Sequence, residues 1–260
     1  MSEAAATRMD CVHRPGPRSW AVLVACEAKM VARDTAGLIV PLGLPLLILV
    51  MSAGSAGEVV FENGLTALDL FVLPLVVVLV IASIGIINMP SFLAYYRRTG
   101  ILRRLSVTPA SPAMVLVAQA VVSVAQAVLG MALAFGVALL ALGANPPVRP
   151  LAALGVVALS MAALYAVGMI VAALAPTPNS AVAIGLVLFL ALGALGGLFG
   201  GSHTLPEGVA AVGEWLPFGA GVQALSAAWS GAAVELQHLA ALGLAVIAGG
   251  VIAAVAFRWD

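Results

Sequence analysis

The sequence predicts an all-α polytopic membrane protein with about six transmembrane helices. Of its 260 residues, 63% are hydrophobic and only 8% are charged, whereas a soluble domain carries about a quarter charged residues. The apolar residues also fall into runs of about 20, the length that crosses a bilayer core of roughly 30 Å. Because a helix pairs its own backbone N–H and C=O groups in hydrocarbon, these runs are predicted to be helical.

Six spans are predicted, at residues 37–56, 69–89, 112–143, 151–175, 181–200 and 236–257. The third is longer than a bilayer requires, so one of its ends is expected outside the membrane. Pro41 and Pro45 lie within the first span, where they are expected to bend the helix or delay its start.

Residues 1–36 are predicted to form a cytoplasmic tail and an interfacial helix. From residue 18 to 34, helical spacing places Trp20, Val24, Ala28 and Val31 on one face and Lys29 and Arg33 on the other. A helix of this kind suits a membrane surface. Glu27 falls near the apolar face, and a simple juxtamembrane linker is therefore the alternative.

Basic residues are concentrated on one side of the predicted topology. Those on that side are Arg8, Arg14, Arg18, Lys29, Arg33, Arg97, Arg98, Arg103, Arg104 and Arg258, and only Arg149 lies on the other. Because short loops rich in Lys and Arg remain in the cytoplasm, both termini are predicted to be cytoplasmic. The localisation expected is the plasma membrane, as a multi-pass protein.

The most informative segment is the predicted cytoplasmic loop at residues 91–111. Residues 95–112 read YYRRTGILRRLSVTPASP. Ile101, Leu102 and Leu105 fall at helical spacing, Gly100 interrupts the chain before them and Pro109 stops it afterwards. The pattern predicts a short helix that could dock into a partner protein.

This loop closely resembles the signature of the type-2 ABC transporter permeases, especially the daunorubicin-resistance-like drug exporters. The matching residues, in order, are Tyr96, Arg97, Gly100, Ile101, Leu102, Arg103, Arg104, Leu105, Thr108, Pro109, Ser111 and Pro112. Arg98 stands where the family usually has an acidic residue, so no acidic contact is carried over at this position. The resemblance implies that the loop couples the permease to its ATPase.

The resemblance also implies an architecture and partners. Residues 37–260 would form the permease domain and act as a dimer, of identical or sister chains, with ABC ATPase subunits on the cytoplasmic face. Residues 201–234 would form a re-entrant external segment, with Trp215 and Trp229 at the membrane interface; a plain external loop is the alternative. The cargo expected is a hydrophobic or amphipathic drug, antibiotic or lipid-like molecule, moved by efflux.

The chain carries no phosphate-binding loop of its own. Its only lysine, Lys29, lies between Ala28 and Met30 with no glycine-rich loop nearby, whereas a P-loop needs its Lys within such a loop. We therefore expect no enzyme activity and no cofactor on this chain, with ATP and Mg held by the partner ATPase.

Rival classes are a self-contained channel, a secondary carrier and a membrane-embedded enzyme. His13, His203 and His238 lie in separate parts of the chain, and no Asp or Glu falls at the middle of a predicted span. The sequence therefore offers few His, Asp or Glu residues that could form a metal site, a catalytic pair or a proton relay within the membrane.

One polar stripe lies in the third span. Gln119, Ser123 and Gln126 recur at offsets of four and three and share one helical face. They could line a substrate path or make hydrogen bonds between helices, and both interpretations stay open. Asn88, Ser160 and Tyr165 are expected to serve structure.

Overall fold

The computed structural model describes residues 16–58, 60–61, 64–100, 112–201 and 204–256. Helices make up most of these residues, and within the described ranges the only β-type pairing is an isolated bridge between Val60 and Thr66. The helices are α1 (Pro17–Arg33), α2 (Thr35–Glu58), α3 (Leu68–Arg98), α4 (Pro112–Ala141), α5 (Pro150–Leu174), α6 (Pro178–Leu195), α7 (Glu207–Trp215), α8 (Pro217–Ser230) and α9 (Leu236–Ala256).

Six of these helices, α2 to α6 and α9, are long and apolar enough to cross a membrane. The predicted all-α polytopic fold is confirmed. We call the end of the bundle that holds α1 and the C-terminus of α3 the inner end, after the predicted orientation, and the opposite end the outer end.

The predicted span boundaries differ from the observed ones by more than two residues at two helices. α3 continues to Arg98 and takes in eight residues of the predicted loop, because residues 89–98 form an amphipathic helix that buries Phe92, Leu93 and Tyr96. α6 begins at Pro178 behind a capping box of Thr177 and Ser180 and ends at Leu195. A turn containing several glycines at positive φ follows it.

α3 is the central helix of the bundle. In its most apolar 18 residues 83% are buried, against 17 to 39% in the other five candidate spans. α2, α4, α5, α6 and α8 all pack against it. A helix enclosed in this way has no lipid-facing side, so its displacement must displace its neighbours.

α3 contains two π-helical stretches, and each ends shortly before a proline. Leu68–Val72 precedes Pro74, and Ser83–Asn88 precedes Pro90. Proline lacks the N–H that an α-helix would use at that point. The backbone therefore shifts to the wider pattern, in which Leu73 N donates to Leu68 O and Met89 N donates to Ile84 O.

The second π stretch is also where the neighbouring helices approach most closely. A Cβ added to Gly168 of α5 would lie 1.9 Å from the carbonyl oxygen of Gly85, and one added to Gly185 of α6 would lie 2.4 Å from that of Ile86. Glycine at these two positions lets both helices pack directly on the α3 backbone.

The outer end of α3 is held by a buried carboxylate. Asp69 Oδ1 accepts from the backbone N–H of Asn145 at 2.7 Å. Its Oδ2 accepts from Thr66 N at 2.8 Å, Thr66 Oγ1 at 2.9 Å and Asn145 Nδ2 at 3.0 Å. These bonds cap the start of α3 and join it to the loop between α4 and α5.

The segment predicted to be re-entrant contains α7 and α8. α8 packs into the bundle against α3, α5 and α9, and Ser226 Oγ donates to Leu70 O at 2.6 Å. The membrane depth of this pair stays a prediction. Trp215 is 53% exposed, whereas Trp229 is 1% exposed. The Trp229 ring stacks on Phe135 and its Nε1 donates to the Asn145 carbonyl, so this side chain packs inside the bundle.

We expect Gly168→Ala to destabilise the protein by about 1–3 kcal/mol, because the new methyl group must push α5 away from the Gly85 carbonyl. Gly155→Ala is the matched control on the same helix, since its Cβ would meet nothing within 4 Å. Unfolding of the purified protein in mixed micelles measures both. Equal stability of the two variants would contradict the close α3–α5 contact.

Candidate functional site

The candidate site is the inner end of α3, where the motif of the predicted coupling loop begins. Tyr96 is buried, and its hydroxyl donates a hydrogen bond to the Glu27 carboxylate of α1. Glu27 is only 6% exposed although it is acidic. The acid on the apolar face of α1 is therefore the partner of Tyr96, and the bond joins α1 to α3.

Arg97 makes a second connection at the same end. Its guanidinium donates to the carbonyl oxygen of Ala175, the residue that follows α5. A helix C-terminus presents unpaired carbonyls and a partial negative charge, so a cation is favourable there. Arg97 thus joins α3 to α5.

The exposed residues of the motif follow at once. Arg98 and Thr99 point away from the bundle, and Gly100 leaves the helix at φ 68°, with its N–H donating to Arg97 O at 3.1 Å. Ile101, Leu102, Arg103, Arg104, Leu105, Thr108 and Pro109 lie outside the described residues, as do Ser111, His13 and His203. Their predicted roles, and the short helix at 101–109, stay predictions.

Burial changes the acidity of Glu27. Desolvation raises the pKa of its carboxyl from the ordinary value of 4.5, and the hydrogen bond from Tyr96 partly offsets that rise. The Glu27–Tyr96 contact therefore depends on the protonation state of the Glu27 carboxyl. In the sequence alone, Glu27 is only an irregularity in an amphipathic helix.

A buried amide network connects α2 to α3 and α4 near the same end. Pro41 cannot donate to Gly37 O, its helical acceptor four residues earlier. That carbonyl instead accepts from Asn88 Nδ2 at 2.9 Å and Gln126 Nε2 at 2.7 Å. Asn88 Nδ2 also lies 3.0 Å from Gln126 Oε1. The network pairs a backbone group that would otherwise be left unpaired in hydrocarbon.

The polar stripe of α4 is divided between two environments. Gln126 belongs to the amide network, and Ser123 is buried beside it. Gln119 is 1% exposed, lies in the wall of a cavity between α3, α4, α5 and α9, and its Oε1 has no hydrogen-bond partner among the described residues. One end of the stripe is thus structural, and the other faces a space.

Within the described residues, no three His, Cys, Asp or Glu side chains lie close enough to hold a metal ion. His238 is buried at the outer start of α9, and neither of its ring nitrogens makes a hydrogen bond to the part of the chain that the structure describes.

Sequence reasoning missed two contributors to this end of the molecule. In the sequence, Glu27 stands out only as a break in amphipathicity, whereas an acid on an apolar helix face is itself a signal for a buried donor. For Asn88 the sequence indicates only a general structural role, and the signal for its partner is Pro41, which frees the carbonyl of Gly37.

The structure defines a polytopic α-helical membrane protein whose central helix is tied to its neighbours at both ends. The family model described as ABC-2 type transporter matches residues 18–229. The chain therefore belongs to the ABC-2 type transporter family and is a membrane transport subunit, which implies an ABC ATPase as its partner. A comparison with curated proteins found no match. The recognition of the chain as a type-2 ABC permease is confirmed, and the daunorubicin-resistance-like subtype stays a prediction.

Replacing both donors to the Gly37 carbonyl, as in N88L/Q126L, should lower the unfolding free energy by about 1–3 kcal/mol, because it leaves a buried acceptor unpaired. The loss should shrink when Pro41→Ala is added, since the new alanine would supply the missing helical N–H. Pro45→Ala is the control, because its N–H would serve a different carbonyl. Equal losses in all three backgrounds, measured by unfolding in mixed micelles, would contradict the network.

The raised pKa of Glu27 predicts a pH dependence of stability. Between pH 4.5 and the raised pKa, the folded state binds more protons than the unfolded state, so the unfolding free energy should fall as pH rises through that window. Glu27→Gln should remove this part of the slope, and Tyr96→Phe should extend it to higher pH by removing the offsetting bond. Unfolding in mixed micelles across this pH range measures the three slopes, and a slope that Glu27→Gln leaves unchanged would contradict the prediction.

Proposed function

We propose that this chain is the membrane-spanning subunit of an ATP-binding cassette exporter of the daunorubicin-resistance-like type. It moves a hydrophobic or amphipathic compound, such as a drug, an antibiotic or a lipid-like molecule, out of the cell. A separate subunit hydrolyses the ATP and holds the Mg. The observation that carries the proposal is the double connection of Tyr96 and Arg97 at the point where α3 enters the motif loop.

These connections offer a path for mechanical work. A push on the segment after Gly100 acts on the last turn of α3, and the side chains in that turn hold α1 through Glu27 and α5 through Ala175. The most apolar 18 residues of α3 are largely enclosed, so the helix would move together with the helices around it. A displacement at the inner end would then reach the outer end as a rigid-body movement.

The outer end has contacts that could receive this movement. Ser226 of α8 is bonded to the Leu70 carbonyl in the first turn of α3, and Asp69 in the same turn holds the α4–α5 loop through Asn145. A second cavity of about 390 Å³ lies beside this turn, between α2, α3 and α8. We propose that cargo leaves the protein in this region.

The assembly proposed is a dimer of permease chains, identical or sister, with ATPase subunits docked on the segment that follows α3, at residues 99–111. It lies in the plasma membrane with both termini in the cytoplasm. The concentration of basic residues at the inner end supports this orientation. Apolar side chains line most of the described cavities, which supports an apolar cargo.

The test is to co-purify the chain with a cognate ABC ATPase and compare two glycine variants. Gly100→Glu and Gly143→Glu alter residues with nearly the same φ, 68° and 67°, and an added Cβ at either would meet no atom of the described residues within 4 Å. The two glycines lie at opposite ends of the bundle. We expect Gly100→Glu, alone or with Leu102→Glu, to abolish complex formation or transport-coupled ATP hydrolysis, because it places charge at the proposed docking helix.

Gly143→Glu should bear the same backbone strain, about 1–2 kcal/mol, and keep full coupling. Membrane insertion of every variant is checked by fractionation and size-exclusion chromatography. Unchanged coupling in Gly100→Glu, or ATP hydrolysis by the purified chain alone, would overturn the proposal.

A further inference from the structure

A cavity of about 600 Å³ lies in the inner half of the bundle. α3 and α5 form its floor with Leu93 and Met169, while α4 and α9 form its sides with Ala120 and Val246. Among the described residues α4 and α9 do not pack closely on each other, and the lining residues Gly250 and Ala254 of α9 are exposed, so the cavity is open between two candidate spanning helices. Its volume is in the range of sites that hold small organic ligands, roughly 300–1,000 Å³.

Two polar side chains lie in this otherwise apolar wall, and both are unpaired. Gln119 Oε1 and Tyr165 Oη are buried and have no hydrogen-bond partner among the described residues. Gln119 lies about two turns from the inner start of α4, and Tyr165 about two turns from the inner end of α5. The two groups are therefore at similar depth, one in a side and one in the floor of the same cavity.

The ring of Tyr165 is held in place by its packing against α3. Its ring lies against Gly85 in the second π stretch, where an added Cβ would come within 2.5 Å of the ring. Phenylalanine would pack equally well there. Packing of the ring therefore does not require the hydroxyl. Burying this group without a hydrogen bond is unfavourable by about 1–3 kcal/mol.

A ligand hydroxyl would pair both groups at once. A hydroxyl donates one hydrogen bond and accepts others, Gln119 Oε1 is an acceptor, and the Tyr165 hydroxyl can donate. The terminal torsion of a glutamine side chain is broad, so the Gln119 amide can turn toward the cavity. Neither a hydrocarbon chain nor a carboxylate could both donate to Gln119 and accept from Tyr165.

We propose that this cavity is a binding site for a membrane lipid of the inner leaflet that carries a free hydroxyl group. The hydroxyl lies between Gln119 and Tyr165, and the hydrocarbon part fills the space between α4 and α9. The lateral opening identifies the bilayer as the source of the ligand. The site goes beyond the proposed export function, since it requires neither an ATPase nor a cargo.

The experiment uses the purified full-length chain in phospholipid nanodiscs, without an ATPase, so that its outcome is separate from the test of export. Two photoreactive probes are compared: a long-chain primary alcohol bearing a diazirine, and the same molecule with its hydroxyl replaced by a methyl group. Peptide mapping should place labelling by the alcohol on α4 and α5 around residues 116–120 and 162–169.

The variants are Gln119→Leu and Tyr165→Phe, which keep the size of each side chain and remove the unpaired atoms. In the double variant, labelling by the alcohol should fall about thirtyfold, the effect of two hydrogen bonds near 1 kcal/mol each, while labelling by the methyl probe stays constant. Because both substitutions remove unpaired groups, the variant should be at least as stable as the wild type.

Two bulky substitutions distinguish binding in the cavity from binding at the exposed surface of the helices. Ala120→Phe fills the cavity wall and should reduce labelling by the alcohol, whereas Val121→Phe lies on the neighbouring exposed position of α4 and should not. The proposal is overturned if the two probes label the wild type equally, if the double variant keeps its labelling by the alcohol, or if Ala120→Phe and Val121→Phe behave alike.

Discussion

A carbonyl freed by proline inside a membrane helix must find another donor, and this requirement explains much of how the bundle is held. Pro41 frees the Gly37 carbonyl, which accepts from Asn88 and Gln126 and so binds α2 to α3 and α4. Pro74 and Pro90 follow the two π-helical stretches of α3. Within the first stretch, the carbonyl of Leu70 accepts a hydrogen bond from Ser226 of α8. The prolines thus create connections between helices rather than simple kinks.

Hydrogen bonds of this kind connect both ends of the central helix α3 to neighbouring elements. At the outer end, Asp69 and Leu70 hold the α4–α5 loop and α8. At the inner end, Tyr96 and Arg97 hold α1 and α5. Between them the backbone of α3 touches glycines of α5 and α6 directly. We propose that a helix so arranged transmits a displacement from one end of the bundle to the other, which is what a permease needs if its work is supplied from outside the membrane.

The sequence predicted what depends on local composition and missed what depends on distant partners. Runs of apolar residues were enough for the six spans and the fold class. The inner extension of α3 was missed because residues 91–98 mix charged and aromatic side chains as a loop does. Glu27 looked like an irregularity because its partner lies 69 residues away. Trp229 matched the composition of an interfacial residue, but Phe135 and Asn145 supply a site for it inside the bundle.

The central claim is that α1, the inner end of α3 and the inner end of α5 move as one body. Cys26 on α1 and an Arg98→Cys substitution on α3 are both exposed, and with Cys11 replaced by Ser they can carry two spin labels. Pulsed electron paramagnetic resonance on the complex with its ATPase measures the distance between them with and without bound ATP. An unchanged distance in this protein, and a changed one once Tyr96→Phe is added, is the result expected. A nucleotide-dependent change while Tyr96 is intact would contradict the claim.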